Sequence, residues 1–154
     1  ALLYPGLAMI EASPNYSVGR GTGAPFEQIG ADWIDGRQLA EFLNQRFIPG
    51  VRVYATRFEP TASNFKGKWI EGVRFVITDR NSFDSIRLGL EVINALDSLY
   101  PGKIDLERCR WLIGSHEVIG ELQSHTDPRL IQQKLEDKMG AFLRVRQQYL
   151  LYPH

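Results

Sequence analysis

Two stretches in the middle of the chain place apolar side chains at every second position, which is the period of a half-buried β-strand. Val51–Thr56 reads VRVYAT and Val73–Thr78 reads VRFVIT. We expect the apolar face of each strand to pack on a core, and Ala55 belongs to that face in the first strand. The connection EPTASNFKGKWIEG is too long, and too rich in polar and aromatic groups, for a simple hairpin turn. The sequence therefore predicts two strands of a sheet with a functional loop between them.

Helix signals flank these strands on both sides. A capping box at Asp35 and Gln38 begins a predicted helix that ends at Pro49-Gly50. Its apolar residues recur at every fourth position: Leu39, Leu43 and Phe47. After Arg80 comes a second predicted helix, ended by Pro101-Gly102, whose apolar residues share one face: Ile86, Leu90, Ile93 and Leu96.

Further elements are expected toward both ends of the chain. Leu7–Ala12 is short and apolar, and we expect it to form a strand that leads into a glycine-rich segment. Asp105–Leu112 predicts a shorter helix, and Asp127-Pro128 supplies an N-cap and a first-turn proline for a final helix. The residues expected on the buried side of that last helix are Leu130, Ile131, Leu135, Phe142, Leu143 and Tyr149.

Together these elements predict one α+β domain over residues 1–154, in which a small mixed or antiparallel sheet packs against helices. A chain of 154 residues, 44% of them hydrophobic, is long enough to bury a core. Its 18 basic and 18 acidic residues cancel, which argues against nucleic acid as a partner. No apolar run approaches the roughly 18 residues that a membrane span needs. The only cysteine, Cys109, is expected to be a small buried residue.

The segment Ser17–Trp33, SVGRGTGAPFEQIGADW, is rich in glycine and has no hydrophobic periodicity. Because glycine lets a backbone approach a ligand closely, we interpret the segment as a ligand-binding loop. Its GRGTG run lacks the spacing of nucleotide-binding loops. Arg20 offers a planar fork of donors for a carboxylate, with the hydroxyl of Thr22 beside it. The alternative is that Arg20 braces the loop by pairing with Glu11 or Glu27.

Four aromatic residues lie in or beside the predicted loops: Phe26, Trp33, Phe65 and Trp69. Either they stack on a sugar ring or another flat ligand, or they cap the core beneath the loops. Asp79 follows the second strand, where it either belongs to a site or caps the next helix.

Other kinds of site find no support in the spacing of reactive residues. His116, His125 and His154 match no metal motif, and Ser17 is not part of a nucleophile elbow. We therefore expect neither a metal nor a cofactor. Five carboxylates near the loops either supply a pair for glycoside chemistry or are solvated or brace the loops: Glu11, Glu27, Asp32, Glu59 and Glu71.

Several ordered runs resemble one protein family over essentially the whole chain. They are LLYPGLAMIEASPNYSVGRGTGAPFEQIGADWIDG, FEPTASNFKGKWIEGVRFVITDR, LYPGK and RQQYLLY. The chain thereby resembles the C-terminal domain of the bacterial exo-acting β-N-acetylmuramidases, glycoside hydrolases long known only as a domain of unknown function. The pattern SxGRGTxxPFExxGAxW is quite specific for that family.

The resemblance implies a two-domain peptidoglycan hydrolase of cell-wall recycling. Such an enzyme removes β-linked N-acetylmuramic acid from the non-reducing end of peptidoglycan fragments, which lie in the cleft between the domains. It carries its principal catalytic glutamate in a Rossmann-like N-terminal domain, which we expect the start at Ala1 to leave outside this chain. The chain is then expected to form one wall of the cleft, in a bacterial protein that is periplasmic or secreted. The alternative is a non-catalytic glycan-binding or domain-docking module, so whether the chain alone is an enzyme stays open.

Substrate contacts are expected from residues near the loops. Muramic acid carries a lactyl carboxylate that glucosamine lacks, and Arg20, helped by Thr22, is the candidate partner for it. Trp33 or Phe65 is expected to pack on the sugar. The full set of expected contacts is Glu11, Ser17, Arg20, Thr22, Phe26, Trp33, Phe65 and Asp79. Departures from the family pattern, such as Asp32 where proline is usual, indicate a divergent member.

Overall fold

Within the part of the chain that the structure describes, three β-strands form a small antiparallel sheet, one face of which packs on the core. The computed structural model describes residues 2–147 and 149. The strands are β1 (Gln28–Ala31), β2 (Val51–Phe58) and β3 (Ile70–Ile77), in the spatial order β1-β3-β2. β3 pairs antiparallel with both neighbours, and its register with β2 places Val51 opposite Ile77. The predicted α+β class is confirmed, with an antiparallel sheet.

Helices cover the sheet in successive layers. They are α1 (Tyr4–Leu7), α2 (Gly36–Gln45), α3 (Ser85–Leu99), α4 (Arg110–Ile113), α5 (His116–Gln123) and α6 (Pro128–Gln147), with a 3-10 turn at Ala8–Ile10. α2 packs on β2 and β3, and α3 packs on α2 and is covered by α1, α5 and α6. Within the described ranges, no helix is both long and apolar enough to cross a membrane. The run RQQYLLY lies partly, and His154 wholly, outside the described residues.

The predicted strands β2 and β3 are confirmed, with one error. Val53 and Phe75 are buried as expected. Ala55 is exposed, although it continues the alternating pattern. The reason is that Ala55 lies beside Gly36 at the first turn of α2, where the sheet borders an open depression and no large side chain covers it.

The predicted start of α2 is confirmed, whereas its predicted end is wrong. Asp35 caps the helix, because its Oδ1 accepts hydrogen bonds from the backbone amides of Arg37 and Gln38 at 2.9 and 3.0 Å. The helix ends at Gln45. Phe47 has a φ of 51° and is 78% exposed, because this left-handed turn directs its side chain away from the apolar face of α2.

The apolar face of α3 is buried as predicted, except for Ile86 in the first turn, which is 38% exposed. Its N-cap is Asp84. Oδ1 of Asp84 accepts hydrogen bonds from the backbone amides of Ile86 and Arg87, at 2.8 and 3.0 Å. The helix-cap alternative for Asp79 is therefore wrong. Asp79 lies too far upstream to reach those amides and closes its own short turn.

The strand expected at Leu7–Ala12 is wrong, because the chain there is helical. Pro5 occupies the first turn of α1, where a missing backbone N–H costs nothing. Leu3, Leu7 and Ile10 recur at helical spacing and are all buried. A short apolar run does not distinguish a strand from a buried helix, and here tertiary packing on α3 decides.

Glycine allows α1 to lie directly against α3. The backbone amide of Gly6 donates to Oγ of Ser85 at 2.8 Å. A Cβ on Gly6 would lie 1.9 Å from the carbonyl oxygen of Ser85, and one on Gly89 would lie 2.7 Å from that of Gly6. No side chain fits between the two backbones at this crossing.

The region after α3 differs from the prediction. Of the helix expected over Asp105–Leu112, only the last residues are helical, in α4, and Leu112 is 45% exposed. Gly114, with a φ of 74°, ends α4, and the unpredicted α5 follows at once. Cys109 is fully buried, as expected, and this burial raises the pKa of its thiol to about 11.

The final helix begins as predicted but buries less of its length than expected. Oδ1 of Asp127 accepts from the backbone amide of Arg129 at 2.8 Å. Ile131 is fully buried and Leu135 partly so, because this part of α6 packs on α3 and α5. The other residues expected to be buried are exposed, since they point away from these helices or lie beyond them: Leu130, Phe142, Leu143 and Tyr149.

One buried carboxylate joins three helices. Glu91 of α3 is fully buried and accepts from Nε of Arg46, after α2, at 2.7 Å, and from Nη2 of Arg87 at 2.8 Å. Arg46 also reaches Asp127, the cap of α6, at 3.0 Å. The charge of Glu91 is thus compensated by two guanidinium groups, which a buried carboxylate requires.

Candidate functional site

The glycine-rich segment begins and ends on the sheet. Ser17 and Gly30 exchange two backbone hydrogen bonds, 2.9 and 3.0 Å long, in an antiparallel bridge. The unpredicted strand β1 therefore occupies the end of what the sequence suggested was a continuous loop. Its four residues are all buried, and it lacks the alternation of polar and apolar side chains by which a half-buried strand is recognised.

Hydrogen bonds within the segment fix the shape of the loop. The hydroxyl of Thr22 donates to the carbonyl of Gly19 at 2.7 Å and accepts from the amide of Ala24 at 3.1 Å and from Nε2 of Gln28 at 2.9 Å. One donor and two acceptor positions exhaust a hydroxyl. Oγ of Ser17 accepts from the amide of Gly19 at 3.2 Å. Thr22 and Ser17 therefore hold the loop that presents Arg20.

The loop between β2 and β3 is fastened to the glycine-rich loop. Both the amide and the hydroxyl of Thr61 donate to the carbonyl of Gly21, at 3.0 and 2.7 Å. Gly21 has a φ of 78°, and a Cβ there would lie 2.3 Å from the amide nitrogen of Ala62. Nδ2 of Asn64 also donates to the carbonyl of Tyr16 at 2.8 Å. The two loops form one continuous surface.

Arg20 lies at the surface of this loop pair between a carboxylate and an aromatic ring. Its Nε donates to Oε1 of Glu11, and this hydrogen bond raises the pKa of Arg20. Its guanidinium carbon lies 4.8 Å from the ring centre of Phe26, which packs edge-on against Tyr4 at 4.7 Å. Of the two bracing partners considered for Arg20, the structure has Glu11, because Glu27 pairs with Arg74 at 3.3 Å.

A groove of about 450 Å³ lies beside Phe26 and Tyr4. Leu2 and Tyr4 contribute to it and are 44% and 51% exposed. Arg80, which follows β3, lines its other side. Tyr4 is not among the contacts expected from the sequence, because the apolar run that it precedes suits a strand as well as a helix. Pro5, which favours the first turn of a helix, was the available signal for α1.

The remaining aromatic candidates are partly built into the core. Nε1 of Trp33 donates to the carbonyl of Asn15 at 2.9 Å, and its ring packs on Tyr100 at 5.3 Å. Phe65, with a φ of 61°, packs on the core. Trp69, by contrast, is 63% exposed. Trp33 and Phe65 thus support the loops from below, with only part of each ring left for a ligand.

Asp79 is not joined to the other candidates. Its carboxylate accepts from Oγ of Ser82 at 2.7 Å and from the amide of Asn81 at 3.0 Å, and these bonds lower its pKa. No hydrogen bond or ion pair within the described ranges links Asp79 to the Arg20 site.

The other polar candidates are engaged separately. Nδ1 of His125 lies 3.0 Å from Asp97, and His116 is exposed at the start of α5. Among the described residues, no three histidine, cysteine or acidic side chains cluster as metal ligands would. Glu71 lies 4.0 Å from Arg57, so Glu71, like Glu11 and Glu27, faces an arginine. The pair between Glu11 and Arg20 lies at the glycine-rich loop, whereas the pair between Glu71 and Arg57 joins the neighbouring strands β2 and β3.

Comparison with known proteins gives concordant matches. The family model for the C-terminal part of exo-β-N-acetylmuramidase NamZ matches residues 2–152. Peptidoglycan β-N-acetylmuramidase NamZ of Bacillus subtilis strain 168 is 35% identical over 158 aligned residues, which cover 97% of this chain and 37% of that protein. A crystal structure of a DUF1343 family protein from Bacteroides fragilis superposes with a TM-score of 0.83 at 25% identity, covering 99% of this chain and 42% of that one.

The chain thus spans less than half the length of the relatives that it matches. The family model nevertheless extends over both loops and all the described helices, so the match does not depend on one motif. The chain belongs to the family of NamZ C-terminal domains.

Proposed function

We propose that this chain is the substrate-contacting part of an exo-β-N-acetylmuramidase that releases N-acetylmuramic acid from the non-reducing end of peptidoglycan fragments. A separate, Rossmann-like N-terminal domain supplies the principal catalytic glutamate, and the enzyme works outside the cytoplasm, where peptidoglycan lies. The name of the Bacillus subtilis relative supports this substrate class. The observation that carries the proposal is the guanidinium of Arg20, held at the surface of the fastened loop pair.

The lactyl carboxylate of muramic acid is the group that Arg20 binds. The side chain of Arg20 is 48% exposed and that of Glu11 is 26% exposed, so an incoming carboxylate reaches the guanidinium from solvent. An exposed ion pair is worth only about 0–1 kcal/mol, so exchanging Glu11 for a ligand carboxylate costs little. The ring of Phe26 remains under the guanidinium and keeps it in place during the exchange.

Replacing Arg20 tests this role. Arg20→Ala is expected to weaken binding of a β-glycoside of N-acetylmuramic acid at least about tenfold, because a charged hydrogen bond is lost, and to leave binding of the N-acetylglucosamine glycoside unchanged. Both affinities are measured by calorimetry on the folded chain. Arg74→Ala is the matched control, since Arg74 is similarly exposed and also faces a glutamate. Equal losses on both sugars would overturn the role of Arg20.

Replacing Glu11 tests the exchange of Glu11 for the ligand carboxylate, with an effect on affinity that is opposite to that of Arg20→Ala. Glu11→Gln removes the carboxylate that competes with the ligand, so the affinity for the muramic acid glycoside is expected to rise. Hydrolysis of a chromogenic muramic acid glycoside by this chain alone would contradict the assignment of catalysis to another domain.

A domain-docking role is the second candidate, and one observation favours it. The distal part of α6 exposes Met139, Phe142 and Val145 by 58%, 61% and 53%. Exposed apolar side chains that follow one another along a helix are typical of surfaces that another protein covers. Folding without any muropeptide binding would favour this role over the first.

A further inference from the structure

Trp111 is exposed at an open groove that the proposed function does not use. The groove has a volume of about 750 Å³ and runs along α4 and the start of α5. Trp111 lines it together with Arg110 and His116, and the indole is 80% exposed. A tryptophan stabilises a fold by burying a large apolar area. Because the indole of Trp111 is exposed, it contributes little to the stability of the fold.

The backbone on both sides of Trp111 fixes this orientation. Cys109 is fully buried two residues before it, and Gly114 closes α4 when its amide donates to the carbonyl of Arg110 at 2.9 Å. Cys109 is the N-cap of α4 and faces the core, so the residue two positions later lies on the opposite side of the turn and faces outward. The indole is therefore presented by a fixed turn.

The polar side of the groove has unused donors. Arg108 pairs with Asp105 at 3.2 Å, whereas Arg110 forms no ion pair with any residue that the structure describes. A free guanidinium donates to hydroxyl, acetamido or carboxylate oxygens. An apolar ring face beside a few directed polar groups is the arrangement that binds a sugar ring.

The groove adjoins the Arg20 site. Ala12 lines the groove and directly follows Glu11, the partner of Arg20. The amide of Asp105 donates to Oγ of Ser13 at 3.3 Å, which fastens the turn before α4 to this same stretch of backbone. The stretch of backbone that carries Glu11 thus also forms the edge of the groove at Ala12, which links the Arg20 site to the groove.

We propose that the groove at Trp111 and Arg110 binds an internal sugar residue of the glycan strand whose terminal muramic acid lies at Arg20. This inference rests on the proposed function and adds a second subsite to it. Trp111 stacks on the ring of the internal sugar, and Arg110 donates to its polar substituents. The volume of the groove, about 750 Å³, and the guanidinium of Arg110, unpaired among the described residues, favour a saccharide over a flat protein surface as the occupant.

The test compares ligands of different length on the same chain. Calorimetry with the muramic acid monosaccharide glycoside and with a peptide-free peptidoglycan tetrasaccharide is expected to show about tenfold tighter binding of the longer ligand. Trp111→Ala is expected to remove this advantage and to leave monosaccharide affinity unchanged. Phe47→Ala is the control, since Phe47 is an equally exposed aromatic residue, at 78%, outside the groove.

A second readout follows the indole itself. The N–H resonance of Trp111, assigned by its disappearance in Trp111→Phe, is expected to shift with the tetrasaccharide and not with the monosaccharide. Arg110→Gln is expected to reduce, but not to abolish, the tighter binding of the tetrasaccharide relative to the monosaccharide.

The outcomes separate this inference from the proposed function. Equal affinity for both ligands, or a Trp111→Ala variant that keeps the length advantage, overturns the subsite. If Arg20→Ala retains full monosaccharide affinity while Trp111→Ala still abolishes the advantage, the role of Arg20 fails and the subsite stands. If neither saccharide binds to the wild-type chain, both proposals fail.

Discussion

Gly6 brings α1 so close to α3 that a single methyl group is expected to destabilise the fold. In Gly6→Ala the new Cβ meets a backbone carbonyl, that of Ser85, and the two helices have to separate. Overpacking of this kind costs about 1–3 kcal/mol, measured as the free energy of unfolding in urea. Gly120→Ala in α5 is the control, because its Cβ meets nothing within 4 Å, and helix propensity predicts a gain of up to about 1 kcal/mol. Equal stability of Gly6→Ala and wild type would refute the close crossing.

Caps were predictable from the sequence where a single candidate precedes the helix. Asp35 and Asp127 bond amides two or three residues downstream, so their roles depend only on local spacing. Two aspartates precede α3, and only Asp79 is considered as a possible cap from the sequence, whereas the cap is Asp84, nearer to the first turn. For Arg20 the sequence left two alternatives, because the approach of Glu11 depends on how α1 and the loop fold back on each other.

Among the elements, α6 has a buried beginning and an exposed end. One substitution in each part tests how much that part contributes to stability. Ile131→Ala is expected to cost about 2–5 kcal/mol in the free energy of unfolding, because a fully buried side chain is lost. Phe142→Ala is expected to change it by no more than about 0.5 kcal/mol, since that ring is 61% exposed. Urea unfolding of both variants checks this contrast. Similar losses would mean that something covers the distal part of α6 in solution.

The other elements could be predicted from the sequence where their buried residues recur at a regular spacing. β2 and β3 have one buried and one exposed face over most of their length, and periodicity found them. Most of α3 is buried, but its apolar residues still recur at helical spacing, so it was found in the same way. β1 is buried on all sides and includes Gly30, so no period marks it. α1 is a single turn whose apolar residues suit a strand equally well, and only its packing on α3 makes the difference.

For the whole molecule, the charge network around Glu91 predicts a loss of stability in acid. Burial alone would raise the pKa of Asp127, but bonds from the Arg129 amide and the Arg46 guanidinium outweigh it, so the pKa of folded Asp127 is lowered. Its unfolded pKa is about 3.9, so the stabilisation is complete above that pH and is lost as the pH falls through the lower, folded value. Urea unfolding below about pH 4 is therefore expected to show a steeper loss for wild type than for Asp127→Asn. Parallel curves would contradict this coupling.

The bridge between Ser17 and Gly30 has a consequence for solubility. β1 is an edge strand, and its outer side is occupied by the start of the glycine-rich loop. An uncovered edge offers its amides and carbonyls to strands of other molecules and promotes aggregation. The loop that presents Arg20 therefore also covers the β1 edge of the sheet. A variant that loosens the loop is expected to aggregate as well as to lose affinity for the ligand of Arg20. Substitutions that leave the backbone near Ser17 unchanged are expected to affect the affinity alone.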